Sequence, residues 1–185
     1  MRKILLLHGT NGNAKVNWFP WLKNELESDD WKVWTPNLPQ ASEPNSKRYN
    51  DFIFANIPWQ LDLETTIVGH SSGSVAAMQL LQALPDNVVV ARTILIGAHK
   101  DDLGWPNLDG LFDPSLDFEK IRNHSKSFLI IHSDNDPYCP VDHAEYLAEQ
   151  LHGELKIVPG QKHFSVETNP KYITFPLLKQ ILERG

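Results

Sequence analysis

The sequence predicts an α/β fold of three layers, with a six-stranded parallel sheet covered by helices on both faces. Strand-like and helix-like segments alternate along the whole chain. Several strand segments are short and wholly apolar, the mark of parallel strands buried on both sides. Gly69-His70-Ser71-Ser72-Gly73, a G-x-S-x-G motif, joins a β-branched strand to an alanine-rich helix.

The first strand is expected over 3–7, Lys-Ile-Leu-Leu-Leu, running into the turn-rich loop His8-Gly9-Thr10-Asn11-Gly12-Asn13. Asn17 is placed to cap the next helix, with Pro20 in its first turn and Asp29-Asp30 at its end. Trp18, Trp21, Leu22 and Leu26 give that helix an apolar face. A second strand covers 31–35 and is followed by Pro36, Pro39 and Pro44. Tyr49, Phe52, Ile53, Asn56 and Ile57 keep the spacing of an amphipathic helix.

Residues 65–68 form the strand before the motif, and 74–84 the helix after it, stopped by Pro85. A strand over 88–96 ends at Gly97-Ala98. Residues 99–116, rich in Asp, Gly and Pro, read as a long loop or small cap with Trp105 and Phe112 in it. A short helix over 118–123, a strand over 127–132 and a helix over 142–152 follow. Asp142 and Glu145 are placed as a capping pair for that helix and Gly153 as its stop. The last strand covers 155–158 and the last helix 174–183.

At 185 residues the chain is expected to form one domain over 1–185, large enough for a proper core. Its net charge of −6, without any Lys/Arg-rich run, argues against nucleic acid as a partner. Four apolar residues after Arg2-Lys3 are too few for a signal-peptide core, and no stretch is long enough to span a membrane. The single cysteine, Cys139, excludes an internal disulfide framework and fits a reducing, cytoplasmic compartment.

In a parallel sheet, ligands sit beyond the carboxyl ends of the strands. His8, Ser71, His99, Asp134, Asp136 and His163 all follow strand ends and so gather on one rim. A serine hydroxyl is a weak nucleophile at neutral pH and needs a base, which in turn needs an orienting carboxylate. The sharp strand-to-helix turn lifts Ser71 out of the sheet, and His163 in Gly160-Gln161-Lys162-His163-Phe164 is the candidate base. The acid lies in Ser133-Asp134-Asn135-Asp136-Pro137. Asp136 is preferred because its proline turn fixes the carboxylate just ahead of a helix, with Asp134 read as a turn former.

The oxyanion donors are expected to be the backbone N–H groups of Ser72 and Thr10, with Asn11 the neighbouring alternative to Thr10. Asn11, Trp18, Trp105, Tyr138 and Phe164 are the candidate pocket walls, although the Trp18-Phe19-Trp21 cluster also suits a core. His8, His70 and His132 carry no H-x-x-x-H pair or carboxylate companion, so neither metal nor other cofactor is expected.

These residues resemble the small α/β-hydrolase serine hydrolases of the YdeN and retinoblastoma-binding protein 9 type. The resemblance rests on His8-Gly9, Trp18-Phe19-Pro20-Trp21-Leu22-Lys23, the Gly69–Gly73 motif, Ser133-Asp134-Asn135-Asp136-Pro137 and Gly160-x-x-His163-Phe164, and runs nearly end to end. It implies an α/β-hydrolase core without the usual first hairpin, strand order 2-1-3-4-5-6, little or no lid, and a triad of Ser71, Asp136 and His163. The residue after the nucleophile is often leucine in this family, whereas here it is Ser72. The expected activity is cleavage of a small carboxylic ester, thioester or amide (EC 3.1.1 first) through an acyl-enzyme, with a small acyl compound as substrate. The rival expectation is an α/β-hydrolase scaffold that binds a protein with little or no turnover.

Overall fold

The computed structural model describes residues 1–28 and 30–184. Its frame is one sheet of six parallel strands in the order β2-β1-β3-β4-β5-β6. These are β1 (Arg2–Leu7), β2 (Trp31–Trp34), β3 (Thr65–His70), β4 (Arg92–Ile96), β5 (Phe128–His132) and β6 (Glu154–Ile157). The helices are α1 (Phe19–Leu26), α2 (Ser46–Asn56), α3 (Ser72–Gln82), α4 (Phe118–Asn123), α5 (Val141–Leu151) and α6 (Pro176–Arg184).

Successive side chains of a strand point to opposite faces, and here each face has its own core. Leu5, Leu7, Ile67, Leu95 and Ile130 pack with α2, α3, α4 and α5 on one side. Ile4, Leu6, Val68, Ile94, Ile96, Leu129 and Ile131 pack with α1 and α6 on the other. The inner strands β1, β3, β4 and β5 can therefore be apolar on both faces and stay buried, while the edge strand β6 is partly exposed. The register aligns Leu7 with Gly69 and His70 with Ile96, which brings the ends of β1, β3 and β4 to one rim.

Several local expectations differ from what forms. α1 has Trp18 at its N-cap with no side-chain cap; the Asn17 carboxamide instead accepts from the Val166 N–H at 2.9 Å. α1 closes at Leu26, before the expected Asp29-Asp30 end, and Asp29 lies outside the described residues. α5 has Pro140 at its N-cap and no side-chain cap, so Asp142 and Glu145 do not act as a capping pair. Its C-cap is His152 in the left-handed region. A Cβ at Gly153 would lie 2.8 Å from Ile130 Cδ1, so that glycine is there for close packing on β5. The strand expected over 88–96 starts only at Arg92, because Val90 makes an isolated bridge to Ser125 instead of joining β4.

Residues 99–116 contain one 3-10 turn, Pro106–Leu111, and otherwise form loop. None of the helices among the described residues is long and apolar enough to cross a membrane.

Candidate active site

Ser71 stands between β3 and α3 at φ 56°, ψ −128°, a conformation L side chains rarely adopt. The surroundings over-determine it. The Ser71 N–H donates to the Ile96 carbonyl at 2.8 Å, and the Ser74 N–H returns to the Ser71 carbonyl at 2.8 Å. Ser74 Oγ donates to the Gly69 carbonyl at 2.9 Å. A Cβ on Gly69 would run into the Gly73 carbonyl and Ser74 Cα, and one on Gly73 into the Leu7 carbonyl of β1. The two glycines thus let α3 start hard against the sheet, with Ser71 at its head.

His163 follows β6 and is turned inward by two neighbours in the left-handed region, Lys162 (φ 54°) and Phe164 (φ 52°). For residues with a Cβ this conformation costs on the order of 1–2 kcal/mol each. The loop is pinned on all sides. His70 Nε2 donates to the His163 carbonyl at 2.8 Å, and Trp18 Nε1 to the Phe164 carbonyl at 3.1 Å. The Lys162 N–H donates to Asn135 Oδ1 at 2.8 Å, and the Gly160 N–H to Asp134 Oδ1 at 2.7 Å.

Asp136 accepts from His163 Nδ1 at 2.7 Å through Oδ2, and through Oδ1 from the N–H groups of Tyr138 at 2.9 Å and Cys139 at 3.0 Å. Burial alone would raise its pKa, but the hydrogen bond and charge of His163 together with the N–H bonds from Cys139 and Tyr138 outweigh that and hold the carboxyl below its ordinary range. Asp134 bridges to the histidine loop instead of closing its own turn; the Asx-type turn belongs to Asp136.

Ser71 and His163 open on the same cavity, of about 310 Å³. Ser71 Oγ and His163 make no hydrogen bond to each other among the described residues. Such contacts are often long before substrate binds. Thr10, Asn11, Trp105 and Tyr138 line this cavity. The Tyr138 ring meets the His163 ring edge-on with centroids 5.0 Å apart. The Asn11 N–H donates to the Ala41 carbonyl at 2.8 Å, which removes it as an oxyanion donor; the Thr10 and Ser72 N–H groups have no acceptor among the described residues.

Trp18 and Phe164 are not pocket walls. Both are fully buried in the core under α1 and α6, where Trp18 stacks on Phe19 at 4.2 Å and Phe164 on Phe175 at 5.5 Å. Trp18 supports the site from beneath, through its indole N–H on the Phe164 carbonyl, and neither ring lines the cavity.

A family model described as serine hydrolase matches residues 4–184. The chain belongs to the serine hydrolase family. YdeN of Bacillus subtilis is 25% identical over 182 residues, covering 98% of this chain and 94% of its own. Its crystal structure superposes with a TM-score of 0.88 at 24% identity, over 100% of this chain and 98% of that one. The serine hydrolase RBBP9 of Rattus norvegicus is 27% identical over 168 residues, 88% of this chain and 87% of its own. A meta-cleavage product hydrolase from Pseudomonas fluorescens shares the fold at a TM-score of 0.68 and 16% identity, over 100% of this chain and 91% of that one. Like these proteins, this serine hydrolase is built on the α/β-hydrolase sheet.

Two features of the site in this serine hydrolase, the room left at Gly97 and the hold of His70 on the His163 backbone, had no signature in the sequence; His99 was already among the rim residues. Gly97 has φ 55°, and a Cβ there would lie 3.2 Å from His163 Nδ1 and 3.4 Å from Asp136 Oδ2. It leaves room for the imidazole–carboxylate pair. His70 holds the His163 backbone, and His99 lines the cavity with Nδ1 on the Asp101 carbonyl at 2.6 Å. Asp136, Cys139 and His163 place donor atoms within 4.8 Å of one another, as a metal site would. The carboxylate and imidazole already satisfy each other, however. Burial also pushes the Cys139 thiol well above its usual range.

Burial keeps His70 and His99 neutral, lowering their pKa values to about 3 and about 4 from an ordinary 6.5. The unfolded chain takes up these protons below pH 6.5 and the folded chain does not, so stability must fall as pH drops from about 6.5 toward 4. Each histidine removes up to about 1.4 kcal/mol per pH unit in that window. Thermal melts between pH 8 and pH 4 are expected to show a flat Tm above 7 and a steep decline below 6. A Tm unchanged down to pH 4.5 would contradict neutral burial of these rings.

Proposed function

We propose that this serine hydrolase is a carboxylesterase-like enzyme that cleaves a small carboxylic ester, thioester or amide through an acyl-enzyme. The observation that carries this reading is the strained Ser71, opening with His163 on one small cavity while Asp136 Oδ2 holds His163 Nδ1 at 2.7 Å. Ser71 Oγ attacks the substrate carbonyl carbon as His163 Nε2 takes its proton. Asp136 keeps the imidazole in the tautomer with hydrogen on Nδ1, so that Nε2 is free to accept, and stabilises the imidazolium that forms.

The Thr10 and Ser72 N–H groups hold the oxyanion, aided by the N-terminus of α3. Collapse expels the leaving group, which takes the proton from His163. Water, deprotonated by the same histidine, then attacks the acyl carbon; collapse breaks the bond to Ser71 Oγ, which takes the proton back from His163, and the carboxylic acid leaves. No step calls for a cofactor.

The cavity limits the acyl group to a small one, and the loop side chains Leu103, Trp105 and Leu108 supply apolar wall. No Lys or Arg lines it among the described residues, and its one carboxylate is Glu167 on the rim. Substrates carrying a carboxylate or phosphate next to the scissile bond therefore lack a partner, and uncharged acyl groups fit best. A panel of p-nitrophenyl esters from acetate to dodecanoate, set beside a succinate half-ester, tests this. Short neutral esters are expected to be fastest. Absence of turnover on every ester, with no fluorophosphonate labelling, would favour a binding scaffold instead.

A further inference from the structure

The loop after β1 carries a device that the hydrolytic reading leaves unused. His8 is 2% exposed and touches backbone on both of its ring nitrogens. The Leu38 N–H donates to Nε2 at 3.0 Å, so Nε2 is the unprotonated nitrogen. The proton is then on Nδ1, which donates to the Gly9 carbonyl at 2.9 Å. The Gly12 N–H donates to the same carbonyl at 3.0 Å. A Cβ on Gly12 would lie 3.2 Å from His8 Nδ1, so the ring and this turn pack tightly together. Desolvation lowers the His8 pKa and keeps the ring neutral, as the two bonds require.

The Gly9 carbonyl and the Thr10 N–H belong to one peptide unit. In a planar trans peptide they point in opposite directions. Holding the carbonyl against His8 and Gly12 therefore aims the Thr10 N–H away from that pair; it has no acceptor among the described residues, and Thr10 and Ser71 line one cavity together with His8, Gly9 and Gly12. The peptide needs holding. Gly9 is where a flip of this unit would turn, and a glycine resists such rotation least. It has to be glycine, since a Cβ there would lie 2.9 Å from Ser71 Cβ. A flipped unit would put a carbonyl oxygen where an oxyanion must sit. On the far side, the Thr10 hydroxyl donates to Ser72 Oγ at 2.8 Å, joining the two residues whose N–H groups serve that oxyanion.

We infer that His8 is a positioning residue for catalysis: by clamping the Gly9 carbonyl it orients the Thr10 N–H for the oxyanion. This rests on Ser71 being the nucleophile. A residue that acts this way stabilises the transition state and leaves ground-state binding alone, so its loss falls on kcat and on analogues that carry an oxyanion.

The test compares His8→Phe with His8→Asn, using p-nitrophenyl acetate as substrate and an alkyl trifluoromethyl ketone as the oxyanion-bearing inhibitor. Both variants lose the acceptor for the Leu38 N–H. Only asparagine keeps an N–H near the position of Nδ1, within reach of the Gly9 carbonyl. His8→Phe is expected to lower kcat by about 10²-fold with KM nearly unchanged, the scale of one lost oxyanion donor. Its affinity for the ketone should fall in proportion, and His8→Asn should recover most of both losses. If His8→Phe does not give a native circular dichroism spectrum, His8→Gln takes its place, because its amide reaches toward Nε2 and not Nδ1. Equal damage in the asparagine and phenylalanine (or glutamine) variants overturns the inference, as does a change confined to KM, or an unchanged kcat in His8→Phe. Fluorophosphonate labelling of the wild-type protein separates this from the reading beneath it. If Ser71 is not labelled, both fall; if Ser71 is labelled and the variant pattern is wrong, only the His8 inference falls.

Discussion

Ser71→Ala is expected to abolish fluorophosphonate labelling and to lower ester hydrolysis on the order of 10⁶-fold, the scale set by removing the serine of a protease triad. Alanine keeps the Cβ and meets the same backbone demand at φ 56°. The bonds from the Ser71 N–H to Ile96 and from the Ser74 N–H to the Ser71 carbonyl are also kept. The variant should therefore fold as the parent does, with a Tm within a few degrees. What it loses is the hydroxyl alone. A residual rate above water, from the oxyanion donors and the cavity, is compatible with this. Ser72, one position along, is 1% exposed and its hydroxyl already accepts from Thr10, so it cannot replace the lost nucleophile. Intact-mass spectrometry after labelling reads the result directly. An adduct that survives Ser71→Ala, or maps to Ser72, would remove Ser71 from its assigned role.

Asp136→Asn is expected to lower kcat by about 10⁴-fold, as the equivalent change does in a serine protease triad. The geometry says why so small a change does so much. Oδ1 accepts two backbone N–H groups, from Tyr138 and Cys139, so an asparagine will keep its oxygen there. Its NH₂ group must then face His163 Nδ1. A donor in that place forces Nδ1 to accept and moves the ring proton to Nε2, which can then no longer take the proton from Ser71. Asp134→Asn is the contrasting variant. Asp134 Oδ1 accepts only the Gly160 N–H, at 2.7 Å, and an asparagine oxygen can do the same. Its kcat should stay within about tenfold of the parent, with a stability change of about 1 kcal/mol or less. The two variants, compared by steady-state kinetics with circular dichroism as a folding check, separate the carboxylates cleanly. A crippled Asp134→Asn beside an active Asp136→Asn would reverse the assignment while leaving Ser71 and His163 where they are.

The parts of this protein legible in its sequence are those where one short segment contains its own cause. Thr65-Thr66-Ile67-Val68 and Leu5-Leu6-Leu7 read as buried strands because a strand covered on both faces has no polar positions to offer. Gly69 and Gly73 marked the elbow because only glycine lets a strand turn so sharply into a helix lying against it. The pattern of Tyr49, Phe52 and Ile53 gave α2, although its start at Ser46 depends on Asn45, whose carboxamide accepts from the Arg48 N–H at 3.0 Å. The Asn17 reading erred because a distant partner claims its side chain. Asn17 looks like a helix cap until Val166, 149 residues away, takes its oxygen.

By itself, the sequence determined the alternation that makes a parallel sheet, the serine at its sharpest turn, and the presence of an acid and a histidine after later strands. Periodicity, glycine placement and chain order are local properties, and they survive without knowledge of what lies alongside. Only the tertiary structure decided which carboxylate faces the imidazole, because Asp134 and Asp136 differ in direction and not in kind. It also decided that Trp18 and Phe164 belong to the core under α1 and α6, since burial depends on which rings stack together. Gly97, His70 and the His8 clamp were likewise decided in three dimensions. Gly97 leaves space beside His163 and His70 hydrogen-bonds the His163 carbonyl, both across separations closed only once the sheet has formed; the His8 clamp on Gly9 is local, but the Leu38 N–H that fixes its tautomer comes from 30 residues away.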